Sequence, residues 1–328
     1  MDVVYTFDNG YTDITMVSLI SLLENNIGVE KLVIHVIDCG IDEKNQNRLK
    51  KLCDEFSREL FFHKGLDVKS RIPIELDKGY WSLVCYVRLF FADMLPDLDK
   101  VLHIDCDTIV CGNLQKLYDT ELGANICAAC YDCLPSPKYL AGFVKTDQYF
   151  SNGVLLFDLK KIREENIEEQ FVQYIVNRKG ILPHLDQDVI SAVLQNKTVL
   201  LPPQYNLMTV TLFLEDKNEE LFKNHGPFYS QDEIDKAIKE PMILHLVGYK
   251  YYSRPWDQPC YHPYNKVWLD YYNRIEGTDI RSLHKKKRKY GILNYIVCWV
   301  WNIGGKIKLI NSLEKAIELR RFWKKCKV

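Results

Sequence analysis

Short β-rich apolar runs alternate along this chain with stretches of helical periodicity, and few architectures accept that alternation. The runs fall at 3–7, 32–37, 59–62, 101–104, 126–129, 153–157, 198–201 and 243–246. Between them lie helix candidates at 13–25, 43–57, 83–95, 159–178 and 187–195, and Pro96 stops the third because proline cannot continue a helix. The pattern predicts an α/β fold, a Rossmann-like, mostly parallel mixed sheet flanked by helices. At 328 residues and 47% hydrophobic content, the chain can bury a large core. Ligands in such sheets collect beyond the carboxyl ends of the strands, where Asp8, Asp105 and Asp107 fall. Neither a Gly-x-Gly-x-x-Gly turn nor a Walker-type loop is present, which removes the main support for dinucleotide oxidoreductases and P-loop enzymes.

The run at 101–104 leads into two carboxylates spaced i and i+2, Asp105 and Asp107. On an extended backbone that spacing turns both side chains to one face, where they can converge on one hard cation. Such a pair also occurs as solvated turn residues, so its meaning depends on the rest of the chain.

The net charge of -1 hides an asymmetry: residues 281–328 hold 14 Lys and Arg against Glu314 and Glu318, and the remainder is correspondingly acidic. A basic tail on an acidic body fits an anionic surface better than a general nucleic-acid binder. Within the tail, Tyr295, Trp299, Trp301, Phe322 and Trp323 alternate with cationic clusters, the composition of an interfacial anchor. The apolar piece at 292–301 is too short to span a bilayer and is interrupted by Asn294. This gives two expected regions: a catalytic domain at 1–260 and an aromatic, basic helical region at 261–328. The cysteine count is eleven, and no signal-peptide core precedes the strand-like residues 3–7, so a reducing cytoplasm is expected. Cys127, Cys130 and Cys133 have metal-like spacing without an obvious fourth ligand, and structural thiols are the expectation.

Several segments, in their shared order, resemble glycosyltransferase family 8. They are Asp8-Asn9-Gly10-Tyr11, then Ser82 through Tyr86 with Arg88-Leu89, and Leu95-Pro96-Asp97 running through Asp99-Lys100-Val101 to Asp105 and Asp107. Tyr149-Phe150-Ser151-Asn152-Gly153-Val154, Asp186-Gln187-Asp188, Leu201-Pro202, Tyr205-Asn206, His245 with Gly248, and Arg254-Pro255-Trp256 follow. The resemblance extends from about residue 3 to 270 and implies the GT-A fold.

It also implies a retaining hexosyltransferase that moves glucose or galactose from a UDP-sugar to a saccharide or lipid-linked acceptor, as in lipopolysaccharide or other cell-surface glycan synthesis. Placement is expected on the inner face of the cytoplasmic membrane, as a peripheral protein. A nucleotidyltransferase or sugar-nucleotide hydrolase also pairs acidic residues with a metal, and a non-catalytic glycan-binding protein would explain the tail. Asp105, Asp107 and His245 would be the metal ligands, a mixed oxygen and imidazole set that suits Mn2+ better than Mg2+. Thr6, Asp8, Asn9 and Tyr11 match positions that hold uracil and ribose, and Arg88 matches one that meets donor sugar or phosphate. A Lys normally precedes the Pro-Trp pair and binds the diphosphate; Arg254 stands there, and Lys250 competes for that role. Relatives usually read Phe-Asn, a small residue and Gly where this chain has Phe150-Ser151-Asn152-Gly153, which leaves open whether Ser151 or Asn152 faces the sugar, while Gly153 permits close approach. Gln187 matches the position beside the anomeric carbon, with Asp186 on the donor sugar and Asp132 on sugar or acceptor.

Overall fold

In β1 (Asp2–Phe7) the side chains of Val3, Val4 and Tyr5 have no solvent exposure, which suits only an inner strand covered on both faces. The computed structural model describes residues 1–77, 82–133, 135–209, 211, 227–248, 254–257, 260 and 262–278. β1 pairs in parallel with β2 (Val33–Asp38), which pairs in parallel with β3 (Glu59–Lys64). On its other side β1 takes β4 (Lys100–Ile104), also parallel. The strand order therefore reverses beside β1, and the carboxyl ends of β1 and β4 open onto the crevice where such sheets bind ligands.

β7 (Phe150–Asp158) breaks the parallel run: it is antiparallel to β4 and to β6 (Cys127–Tyr131), and β8 (Thr198–Leu200) closes the edge parallel to β6. The seven-stranded order is β3-β2-β1-β4-β7-β6-β8, the mostly parallel mixed sheet expected from the sequence. A smaller sheet, β5-β10-β9, is built from β5 (Thr108–Val110), β9 (Leu207–Met208) and β10 (Ile243–His245). β10 runs antiparallel to β5 and parallel to β9, placing His245 opposite Thr108 and Met208.

The helices at Thr12–Asn25 and Glu43–Glu55 match the sequence closely. The second is capped by Asp42, whose carboxylate accepts from the Asn45 N–H; such a cap contributes ~1 kcal/mol. Two helical expectations are corrected. The segment 83–95 is a 3-10 helix, Leu83–Phe90, followed by one short α-turn, Phe91–Met94. The span 159–178 is two helices, Leu159–Glu164 and Ile167–Asn177, because Asn166 adopts a left-handed φ of 52° between them.

The helix Asn265–Tyr272 packs on Thr12–Asn25 and buries Trp268 and Tyr272 in the main core, Trp268 stacked on Tyr272 at 4.7 Å. No helix among the described residues is long and apolar enough to cross a membrane. The basic tail at 281–328 lies outside the described residues.

Candidate active site

Asp105 follows β4 and Asp107 precedes β5, so the pair flanks a turn, or bend, rather than lying on the extended backbone that the i, i+2 spacing suggested. Convergence is achieved by the bend instead. Its geometry is fixed by Thr108, whose hydroxyl donates to the Asp105 carbonyl (2.9 Å), and by the Leu246 N–H, which donates to the Asp107 carbonyl (2.8 Å). The pairing of β5 with β10 then delivers His245. Its Nε2 lies 3.1 Å from Asp107 Oδ1 and 3.6 Å from Asp105 Oδ2.

Ligand atoms of Asp105, Asp107 and His245 all lie within 4.8 Å of one another, the one such group of three or more His, Cys, Asp or Glu among the described residues. His245 Nδ1 is 2.9 Å from the Asn206 side-chain oxygen. An amide oxygen accepts only, so Nδ1 carries a proton, and Nε2 is the nitrogen turned to the carboxylates, where its lone pair is offered to a cation once Nε2 is deprotonated. Asn206 is held in turn by donating to Ser151 Oγ at 2.9 Å. Two carboxylates and an oriented imidazole form a donor set that fits a divalent cation.

Arg88 stands behind Asp105. It is 9% exposed, and its Nη1 lies 3.0 Å from Asp105 Oδ1, 2.8 Å from His103 Nε2 and 2.7 Å from the Asn152 carbonyl, while Nε lies 3.1 Å from Asp186 Oδ2. Arg254 donates to Asp107 Oδ2, and its side chain lies close against Gly248. These cations decide the protonation states. Burial alone would raise both carboxyls, but Arg88 holds Asp105 down to about 2, and Arg254 holds Asp107 well below the usual range. Burial lowers the His245 pKa, yet Asp107 and Asp105 outweigh it and raise it. His103 is pushed down by burial and by Arg88.

Asp186 and Gln187 begin the helix Asp186–Val193, aimed by an unusual backbone. Leu185, at φ 50° and ψ -122°, lies outside the left-handed helical well, a conformation that costs of order 1–3 kcal/mol and is found mostly at functional sites. Asp188 steadies the turn by accepting from Tyr149 OH at 2.6 Å and from the His184 N–H at 2.9 Å. Gln187 donates to Asp132 Oδ2 across 2.7 Å, and Asn152 donates to Asp186. Burial raises Asp186 to about 6 against the pull of Arg88.

Arg88, Asp105, Asp107, Asp132, Ser151, Asn152, Asp186, Gln187, His245, Gly248 and Arg254 thus border one cleft of about 250 Å³. Gly153 contributes by being bare: a β-carbon there would stand 2.3 Å from His245 Cε1. The expected nucleotide residues Thr6, Asp8, Asn9 and Tyr11 line the neighbouring end of β1 instead. Asp8 accepts from the Gly10 N–H, Asn9 donates to Asp42, and the Thr6 hydroxyl is buried without a hydrogen-bond partner among the described residues. Lys250 lies outside the described residues.

Sequence reasoning missed His103, which sits two residues before Asp105 on the same strand, and the cleft residues Cys85, His184, Met208 and Val247. The first could have been found by applying the i, i+2 rule backward from Asp105. Cys127, Cys130 and Cys133 are free, buried thiols; burial pushes Cys130 up to about 12, and Cys133 meets the Met208 sulfur at 3.4 Å. They do not converge as metal ligands among the described residues.

Residues 2–259 match the family model for glycosyl transferase family 8. The chain is 24% identical over 286 residues to general stress protein A of Bacillus subtilis (strain 168), covering 85% of this chain and 96% of that protein. It is also 24% identical over 302 residues to the lipopolysaccharide 1,2-glucosyltransferase of Escherichia coli (strain K12), covering 88% and 84%. Its fold superposes on the galactosyltransferase LgtC, solved in complex with donor and acceptor sugar analogues, with a TM-score of 0.71, 22% identity and coverage of 86% and 100%.

Proposed function

The chain belongs to glycosyl transferase family 8, and from that membership we propose that it moves glucose or galactose from a UDP-sugar onto a saccharide or lipid-linked saccharide with retention of anomeric configuration. The observation that carries this reading is the convergence of Asp105, Asp107 and His245 beside the cleft that holds Asp186 and Gln187. The family assignment leaves the nucleotidyltransferase, hydrolase and glycan-binding readings without support.

Asp105, Asp107 and His245 would hold Mn2+, with Mg2+ a poorer match for the imidazole. When bound, the cation supplies Lewis-acid neutralisation of the diphosphate charge that develops as the sugar leaves. Arg254 lies on the same side, 5.4 Å from the Trp256 ring centroid, and a guanidinium there suits a diphosphate oxygen. Thr6, Asp8, Asn9 and Tyr11 would receive the nucleoside at the end of β1, where the Thr6 hydroxyl has no hydrogen-bond partner among the described residues.

Asp186, fixed by Arg88 and Asn152, would accept hydrogen bonds from the donor sugar. Gln187 is anchored through its N–H to Asp132 and would offer its amide oxygen to the cleft. An amide is a poor nucleophile, so a front-face displacement fits better than a covalent intermediate. The bond from the anomeric carbon to the phosphate oxygen breaks as the bond to the acceptor oxygen forms on the same face. The acceptor proton passes to the departing phosphate, and the Gln187 oxygen stabilises positive charge at the carbon.

The tail at 281–328 would bring this cleft to a lipid-borne acceptor on an anionic membrane surface. The donor assignment is tested by incubating the protein with a panel of UDP-, GDP- and CMP-sugars and following nucleotide release with and without Mn2+. UDP-glucose or UDP-galactose should be turned over only with the metal. Indifference to every UDP-hexose, or release of pyrophosphate, would overturn the reading.

A further inference from the structure

We propose that His103 is a positioning residue for the cation site, fixing through Arg88 which oxygen of Asp105 faces the cleft. The inference rests on the metal assignment above and extends it to a side chain that touches no substrate. His103 is 1% exposed and is packed against Phe91, ring centroids 5.5 Å apart.

Arg88 has only hydrogens to give, so the 2.8 Å approach of its Nη1 to His103 Nε2 requires a lone pair on Nε2 and the ring proton on Nδ1. Nη1 carries two hydrogens but has three acceptors in reach: His103 Nε2, the Asn152 carbonyl at 2.7 Å and Asp105 Oδ1 at 3.0 Å. The imidazole therefore competes with the carboxylate for one guanidinium nitrogen and keeps Arg88 from settling fully on Asp105.

His103 Nε2 and Asp105 Oδ1 lie 3.2 Å apart, two acceptors bridged by the same nitrogen. This three-way arrangement engages Oδ1 from behind. Oδ2 is left pointing toward His245 Nε2, 3.6 Å away, on the side where the cation would sit. Without the imidazole the guanidinium is free to rotate onto the carboxylate and draw both oxygens toward itself, in competition with the ion. Outer partners of this kind typically change metal affinity by ~10–100-fold.

The test is calorimetric titration of Mn2+ into wild-type, His103→Leu and His103→Gln protein in the presence of UDP. Glutamine can place an amide oxygen near the position of Nε2 and should bind Mn2+ within about three-fold of wild type, whereas leucine should weaken it ~10-fold or more at unchanged far-UV circular dichroism. Equal binding by the leucine variant, or equal loss by both variants, overturns the proposal, since packing rather than an acceptor would then matter. If His103→Leu does not fold, His103→Phe keeps the ring against Phe91 without the acceptor and gives the same comparison. Failure of wild type to bind Mn2+ with UDP would remove the metal reading and this inference together; a metal-binding wild type with an indifferent leucine variant removes this inference alone.

Discussion

Gly153 lies flat against the His245 imidazole: a β-carbon on it would stand 2.3 Å from Cε1 and 2.5 Å from Nδ1. Both atoms belong to the edge of the ring that Asn206 holds, so any side chain at 153 pushes His245 off its partner. Gly153→Ala should lower Mn2+-dependent UDP affinity ~10-fold or more and destabilise the fold by ~1–3 kcal/mol. Titration calorimetry and urea unfolding read the two effects separately. Unchanged UDP affinity would show that His245 does not serve the ion.

Asp107 carries two buried partners, Arg254 and His245, so deleting its side chain would strand the Arg254 guanidinium and leave His245 Nε2 without its partner. Asp107→Asn keeps the shape and removes the charge. UDP affinity in the presence of Mn2+ should fall to the value seen in its absence, with thermal unfolding still cooperative. A variant that keeps its Mn2+ response places the ion elsewhere.

For Gln187→Ala, transfer should fall ~10-fold or more while donor affinity persists, the signature of a group that acts in the transition state. The comparison is kcat against calorimetric UDP-sugar affinity. Equal loss of both would make Gln187 a binding residue. Product stereochemistry, read from anomeric proton couplings, should show retention.

His63 is neutral in the fold, because burial and then His35 lower its pKa from 6.5, and its Nε2 lies 3.0 Å from His35 Nδ1. The unfolded chain takes up a proton there that the native chain refuses. Its contribution to stability is therefore complete above pH 6.5 and is lost as pH falls through the lower native value. Urea midpoints measured from pH 8 to 5 should drop more for wild type than for His63→Gln. Parallel curves would assign the acid sensitivity to other groups.

Truncation after Thr278 retains the helix Asn265–Tyr272 and the ion pair of Glu276 with Lys51. The shortened protein should bind UDP with Mn2+ as the full chain does and lose sedimentation with anionic vesicles, and full-length binding should weaken with salt. Full-length protein that ignores such vesicles at low salt would remove the membrane proposal.

The main strands were legible because inner strands covered on both faces must be apolar throughout, as Val3, Val4 and Tyr5 are. β5 and β9 were not, since three and two residues form strands only because β10 pairs with them. The break at Asn166 was hidden for a related reason: asparagine can continue a helix or stop it, and neighbours decide. At the site, the acidic pair and His245 were recognisable as motifs, whereas the Gln187–Asp132 bond joins residues 55 positions apart and is created by topology alone. Asp105 and Asp107 converge through a bend that their spacing did not specify.

The small sheet β5-β10-β9 has a consequence for biosynthesis. Asp105 and Asp107 leave the ribosome early, but His245 follows 138 residues after Asp107. A nascent chain that has not yet produced β10 can form β1 and β2 and carry the acidic bend, yet it has no imidazole to close around an ion. Metal capture at these three residues would thereby wait for the long-range pairing of β10 with β5.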